Sequence, residues 1–235
     1  MNLLLFKADE LTDGIAVISD SRARHIIKVL KTEKGGLLKA GVINGPTGTA
    51  RLTGISGDKL TMEFTAEGES PAAPDMSLIM ALPRPKAFRR ILFCAVSCGV
   101  KDIHIINSWR VEKSYWESPY IDSANVESVC LEALSQAKDT VMPAIRFHRF
   151  FTGFMEEGLP LIPEGRGRYL AHPYGAKTDR PKMPAAAAVG PEGGFIEREV
   201  ETFAGNGFEL YSAGERTLTT EHFVPFMLGS LLNNC

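Results

Sequence analysis

Apolar positions along the first seventy residues come in short runs at strand period. GIAVISD (14–20) is one such run, four apolar residues closed by Ser19 and Asp20. GLLKAGVINGPTGTARLTGISGDKLTMEF (36–64) carries strand-length runs broken at Asn44-Gly45, Gly48, Gly57 and Asp58. Strands of this length between glycine-rich turns predict a small β-barrel. One helix interrupts them, SRARHIIKVLKTE (21–33), with Ile26, Ile27, Val29 and Leu30 expected against the barrel and its basic residues outward.

The stretch AEGESPAAPD (66–75) is polar and proline-rich and reads as a linker. Beyond it, strand-like and helix-like patterns alternate. MSLIMALP (76–83) is a buried strand, and PKAFRRILFCAVSCG (85–99) a helix opening on proline and closing on glycine. DIHIIN (102–107) is a strand, and 121–138 a helix with Val126, Val129, Ala133 and Leu134 on one face. RYLAHP (168–173), AAAAVG (185–190) and FELYSAG (208–214) are further strands. Ile196, Val200 and Phe203 fall at helical spacing between the last two, and a terminal helix covers 220–233. This order predicts an α/β domain whose mostly parallel sheet is covered on both faces.

The length of 235 residues, at about 150 per domain, fits one large or two modest domains. A content of 44% hydrophobic and 23% charged residues excludes a disordered chain, a collagen-like fibre or a disulfide-stapled miniprotein. No apolar run approaches the roughly 20 residues of a membrane span. The start MNLLLFKADE lacks the basic region of a secretory signal. With 26 basic against 28 acidic residues, only local patches can speak for a nucleic acid. Cys94, Cys98, Cys130 and Cys235 show no zinc spacing; they read as small buried thiols in a reducing cytoplasm, and no metal is expected.

Two basic clusters stand out. The first holds Arg22, Arg24, Lys28, Lys31 and Lys34 against Glu33 alone; the second, over 84–90, holds Arg84, Lys86, Arg89 and Arg90 with no acid. RVEKSYW (110–116) adds Arg110 and Lys113 for phosphates, with Tyr115 and Trp116 for base stacking. A single lysine reads best as part of a solvated helix face; two patches flanking one cleft point to RNA.

The stretch with most chemical content is AAAAVGPEGGFIEREV (185–200), a strand running into Gly190-Pro191-Glu192-Gly193-Gly194 and then a helix. Its glycines allow close approach of backbone to a ligand, at a strand exit where parallel sheets bind ligands. It lacks the Gly-Lys-Ser/Thr of a P-loop and the G-x-G-x-x-G spacing of a dinucleotide site. On spacing alone, a structural turn and a ligand loop are equally good readings. FELYSAGERTLTTEHF (208–223) and LAHPYGAK (170–177) leave strands in the same way and would supply two further walls.

These residues resemble the RsmE family of 16S ribosomal RNA uridine-N3 methyltransferases, within the SPOUT superfamily. VGPEGGF before an acidic helix, then AGERTLTTE, carry the resemblance. HIIKVLK (25–31), ALPRPK (81–86) with Gly99-Val100, and Glu132-Ala133 with Gln136 and Pro143 extend it in order along nearly the whole chain. It implies a PUA-like, RNA-binding β-barrel over residues 1–70 and a trefoil-knotted SPOUT α/β methyltransferase domain over 75–235. It also implies a cytoplasmic homodimer that binds S-adenosylmethionine and acts on small-subunit ribosomal RNA.

By position, the resemblance places Leu170, Ala171, His172 and Pro173 around the methyl donor, with Gly190, Pro191, Glu192, Gly193, Gly194 and Phe195. Leu210, Tyr211, Ser212, Gly214, Arg216 and Leu218 complete that set. For methylation at such a ring nitrogen, Arg216 is expected to steady a developing uracil anion while Glu221 accepts the proton or holds Arg216. His222 is a further base and Glu192 a further acid, with packing and the satisfaction of loop amides as their structural readings. Departures from the family pattern fall at Cys94, Ser97, Asp139, Thr219, His222 and Phe223. They leave open a relative acting on another RNA, or a non-catalytic ribosome assembly factor.

Overall fold

The computed structural model describes residues 2–174 and 181–232. Cys235 and the Gly175 end of the third expected wall lie outside them. The chain forms two compact units, one running to Ala72 and taking in Leu131–Met142, the other comprising Ala73–Cys130 and the residues from Pro143 onward.

The first unit opens with β1 (Leu4–Phe6), β2 (Leu11–Thr12), β3 (Ile15–Ile18) and α1 (Ser21–His25). β4 (Leu37–Val42), β5 (Thr47–Ser56) and β6 (Lys59–Gly68) follow. They pair in the order β1-β4-β5-β6-β3-β2, parallel at β1/β4 and antiparallel elsewhere. Alternation does the sorting: Ala16 and Ile18 are buried while Ile15 and Val17 face water. The inward residues join Phe6, Ile26, Leu52, Leu60 and Met62 in one core.

Two expectations change here. β6 runs on to Gly68, pairing Thr65 with Thr49, so the polar stretch expected to be linker from residue 66 begins as strand. The helix expected over 21–33 stops at Leu30: α1 passes into a π-type turn over Ile26–Leu30 that ends on Lys31 at φ 52°. The amide of Lys31 reaches back five residues to Ile26 O. That wide turn leaves Ala23 and Ile26 in the core but Val29 62% exposed and Leu30 39% exposed, not packed on the sheet as expected.

Arg22, expected to grip RNA, is half-buried in a clamp: it pairs with Glu10 at 2.5 Å and Asp20 at 2.7 Å and donates to Leu5 O at 2.6 Å. Asp20 also caps α1 through the Arg22 amide at 2.8 Å. The hydrogen bond to Glu10 and the pairing with Asp20 outweigh burial and raise the guanidinium's proton affinity. Its charge is therefore consumed within the fold.

The second unit holds β7 (Met76–Ala81), α2 (Pro85–Ser97), β8 (Asp102–Ile106) and the start of α3 (Ser123–Ala137). It continues with β9 (Ala144–His148), α4 (Phe151–Gly153), β10 (Gly167–Ala171), β11 (Ala185–Val189), α5 (Glu197–Gly205), β12 (Glu209–Tyr211) and α6 (Thr220–Leu232). All strand pairs are parallel, in the order β12-β10-β11-β7-β8-β9. β7 and β11 are buried throughout, as continuous apolar runs require in a two-sided parallel sheet.

α3 carries the chain back into the first unit. There Ser135 donates to Leu3 O at 2.7 Å, Thr140 Oγ1 to Gly45 O at 2.6 Å, and the Met142 amide to Asn44 Oδ1 at 2.8 Å. Asp139, one of the departures, is buried and accepts the Val141 amide at 2.8 Å. Cys130 is buried and its thiol is pushed up to about 11 by that burial, whereas Cys94 and Cys98 are only half-buried.

At the start of β8, Asp102 takes hydrogen bonds from Ser77 and from Arg146 (2.6 Å), and His104 Nε2 lies 3.3 Å away. Burial alone would raise its pKa, but His104, Ser77 and the Arg146 charge outweigh burial and hold it at about 2 instead of 3.8. A depressed carboxyl stabilises the fold fully above its unfolded value and ceases to do so as pH falls through the folded one. The stabilisation is thus complete above about pH 4 and lost between there and about pH 2. Melting followed from about pH 6 to 2 is expected to show Asp102→Asn destabilised at the upper end, with the gap to the parent closing toward pH 2.

Candidate functional site

β10, β11 and β12 are adjacent and parallel, so their carboxyl ends emerge side by side. From these ends come Ala171–Pro173, the glycine loop 190–195 and the loop 212–218, enclosing a cavity of about 380 Å³. Hydrogen bonds hold the loops to one another. The His172 amide donates to Tyr211 O at 3.0 Å, and Thr220 Oγ1, at the start of α6, donates to Gly190 O at 3.1 Å. Ser212 Oγ accepts the Gly214 amide at 3.2 Å.

The glycines have separate reasons. A Cβ at Gly190 would stand 3.2 Å from the Phe195 amide nitrogen, and one at Gly193 would stand 3.1 Å from Arg110 Cδ. Gly194 adopts φ +72°, which side chains of L-residues resist. The Arg110 guanidinium donates to Gly193 O, covering the loop and lining the cavity. Arg110, expected from sequence among the RNA-gripping residues, is joined to the glycine loop.

Of the expected donor residues, Ala171, His172, Pro173, all six from Gly190 to Phe195, Ser212, Arg216 and Leu218 line the cavity. Leu170 and Tyr211 are buried in their strands, Leu210 is half-buried, and Gly214 turns the chain at φ +117°. These four shape the wall without forming it. Glu192 Oε1 accepts the Arg84 amide at 2.9 Å, tying the loop to the opening of α2. Arg216 lies on the exposed stretch of the rim.

Glu221 sits in the first turn of α6, outside the cavity wall, paired with Arg90 at 2.9 Å and not with Arg216. Thr219 and His222, two departures from the family pattern, bond to each other through Oγ1 and Nδ1 at 2.7 Å. Thr220 and Phe223 also line the cavity and were missed; a threonine opening an apolar helix was the available signal.

Arg24, Lys28 and Lys31 are exposed in the first unit, and Arg84, Lys86 and Arg89 in the second. Trp116, expected to stack on a base, is instead buried: its Nε1 donates to Asn107 Oδ1 at 2.9 Å, and Arg149 lies over its ring at 5.4 Å. Among the described residues no cluster of His, Cys, Asp or Glu could hold a metal ion, and no helix is long and apolar enough to cross a membrane.

The family model for an RNA methyltransferase domain matches residues 70–231. A ribosomal RNA small subunit methyltransferase E from Treponema pallidum is 32% identical over 94% of this chain and 86% of its own length. Another, from Borreliella burgdorferi, is 28% identical over 94% of this chain and 93% of its own. Among solved structures, a ribosomal RNA small subunit methyltransferase E from Neisseria gonorrhoeae, bound to S-adenosylmethionine, superposes with a TM-score of 0.74 at 20% identity, covering 97% of this chain and 96% of that one. A methyltransferase from Legionella pneumophila, in complex with the same cofactor, gives 0.78 at 20% identity over 99% and 97%. The mixed α/β architecture with two sheets is shared with these structures.

Placing a side chain at the left-handed Gly194 costs about 1–2 kcal/mol. Gly194→Ala is therefore expected to lower the melting temperature by roughly 2–8 °C in differential scanning calorimetry. Gly205→Ala, in a helix with nothing within 4 Å of the added methyl, serves as the control and is expected to melt no lower than the parent.

Proposed function

The chain belongs to the RNA methyltransferase family that includes ribosomal RNA small subunit methyltransferase E, and on that footing we propose that it methylates N3 of a uridine in 16S small-subunit ribosomal RNA, with S-adenosylmethionine as donor. One observation carries the reading: three neighbouring parallel-strand exits close on a cavity of about 380 Å³ lined by Gly190, Gly193 and Gly194, where a Cβ at Gly190 or Gly193 would crowd Phe195 or Arg110 at 3.2 or 3.1 Å. That volume lies in the range of small-molecule sites, and a glycine lining leaves main-chain groups free to meet a nucleoside edge.

When bound, the donor supplies an electrophilic methyl on sulfur. The protein's share is alignment, charge and proton removal. Alignment of two reactants can lower a barrier by about 7–11 kcal/mol, more than one base contributes. N3 of uridine becomes nucleophilic only as its proton leaves, so negative charge builds on the uracil ring. Arg216, on the cavity rim, is placed to compensate that charge. Arg110, anchored on Gly193 O, adds a second cation to the wall. Glu221, on the first turn of α6 outside the cavity wall and paired with Arg90 at 2.9 Å, is the proposed proton acceptor.

The same reading takes residues 1–70 as a PUA-like RNA-binding barrel and 75–235 as a SPOUT domain with a C-terminal trefoil knot. It makes the protein a cytoplasmic homodimer. The exposed Arg24, Lys28 and Lys31 support an RNA role for the first unit, and the order β12-β10-β11, in which the last strand joins an earlier one at the sheet edge, suits the second.

Transfer of labelled methyl to small-subunit ribosomal RNA lacking the modification, followed by nucleoside analysis, is expected to yield N3-methyluridine; another nucleoside or no incorporation would overturn the reading. Arg216→Ala is expected to lower kcat at saturating donor by about a hundredfold or more, with donor affinity measured separately by calorimetry. Glu221→Gln is expected to lower kcat by a similar factor. Parental turnover in either variant would remove that residue from the mechanism.

A further inference from the structure

The turn after β8 faces two cavities. Arg110 lines the one described above, while its neighbour Trp109 lines a second, larger one of about 1060 Å³ between the 107–116 segment, the 151–156 segment and α5. Nothing in the proposed reaction uses this second cavity.

Its walls are unusual in two respects. Trp109 is 80% exposed, leaving a large apolar ring in water. Ser108, beside it, is 4% exposed, and its buried hydroxyl has no hydrogen-bond partner. Native folds rarely leave a buried hydroxyl unsatisfied. The turn is nevertheless firmly held. Glu199, buried on α5, accepts the Trp109 amide at 2.8 Å and the Ile196 amide at 3.0 Å, and the Val111 amide donates to Ser108 O at 3.1 Å. A platform fixed by its backbone and offered to solvent suits a flat aromatic ligand.

One occupant answers both features: a ring with two open faces and a polar edge. An unpaired nucleobase has that form, whereas a paired base has its faces stacked and its edge taken. Lys113 and Arg198, exposed on the same walls, supply positive charge for phosphates, with Glu156 the exposed acid among them. Adjacency in the chain completes the argument. A strand delivering its target base to the cavity of Arg110 has the turn that carries Trp109 immediately beside it.

We propose that this groove receives an unpaired nucleobase next to the methylated nucleotide, stacked on Trp109, with its polar edge bonded to Ser108 Oγ and its phosphates facing Lys113 and Arg198. The proposal rests on the reading of the chain as an RNA methyltransferase.

Unmodified small-subunit ribosomal RNA, titrated against the full chain with S-adenosylhomocysteine present, tests it. Trp109→Ala is expected to weaken RNA binding by about tenfold or more, as loss of a stacking platform does. It is expected to raise KM for RNA while leaving kcat and calorimetric donor affinity unchanged. Trp109→Phe, which keeps a stacking face, is expected to bind within about threefold of the parent. Parental RNA affinity in Trp109→Ala, or equal weakness in Trp109→Phe, would overturn the proposal. So would a change of oligomeric state by sedimentation with RNA affinity intact, because the groove would then belong to a second copy of the chain. A parent that methylates RNA with Trp109→Ala matching it defeats the groove alone; a parent that neither binds donor nor methylates defeats the functional reading and the groove with it.

Discussion

Insertion of β10 between β11 and β12 is the constraint on which the candidate site depends. Parallel pairing aligns the carboxyl ends of all three strands, so three loops far apart in sequence leave the sheet at one place. The hydrogen bonds between them, Thr220 to Gly190 and His172 to Tyr211, are short-range consequences of that register. A shift of one residue in β12 would turn Leu210 to the opposite face of the sheet and move the exit of the 212–218 loop relative to its neighbours.

The site uses main chain where a ligand must be approached closely and side chains where charge must be supplied. Gly190 and Gly193 let the loop pack closely on Phe195 and Arg110, and Gly194 lets the chain turn back on itself. Arg110 and Arg216 bring positive charge from two different segments, the turn after β8 and the rim before α6. Glu192 and Glu199 have structural work: one receives the opening amide of α2, the other holds the turn bearing Trp109 and Arg110.

Much of this was legible in residue order. The apolar runs at 76–81 and 185–189 read as buried strands, and Pro85 with Gly99 bracketed α2. The GPEGG loop was legible as a glycine-rich strand exit, but its spacing alone suited a structural turn as well as a ligand loop. Elements at the edges were less legible. β9 is short and largely half-buried or exposed, and β2 has two residues, so neither carries a periodic signal. The π-type turn at Ile26–Leu30 reads as ordinary helix, because hydrophobic spacing does not report a one-residue widening.

Local chemistry, then, was set by the sequence itself: which runs are strands, where backbone must bend, and which loops are glycine-rich, since these follow from side-chain size, period and φ preference. Partnership was decided only in three dimensions. Arg22 faces Glu10 and Asp20 instead of solvent, Glu221 meets Arg90 instead of Arg216, Trp116 is buried while Trp109 is bare, and Arg110 closes over Gly193. A charged or aromatic side chain carries the same preference wherever it lies in the chain. Its neighbour, and so its role, depends on strand order and on how each turn is held, which no single segment encodes.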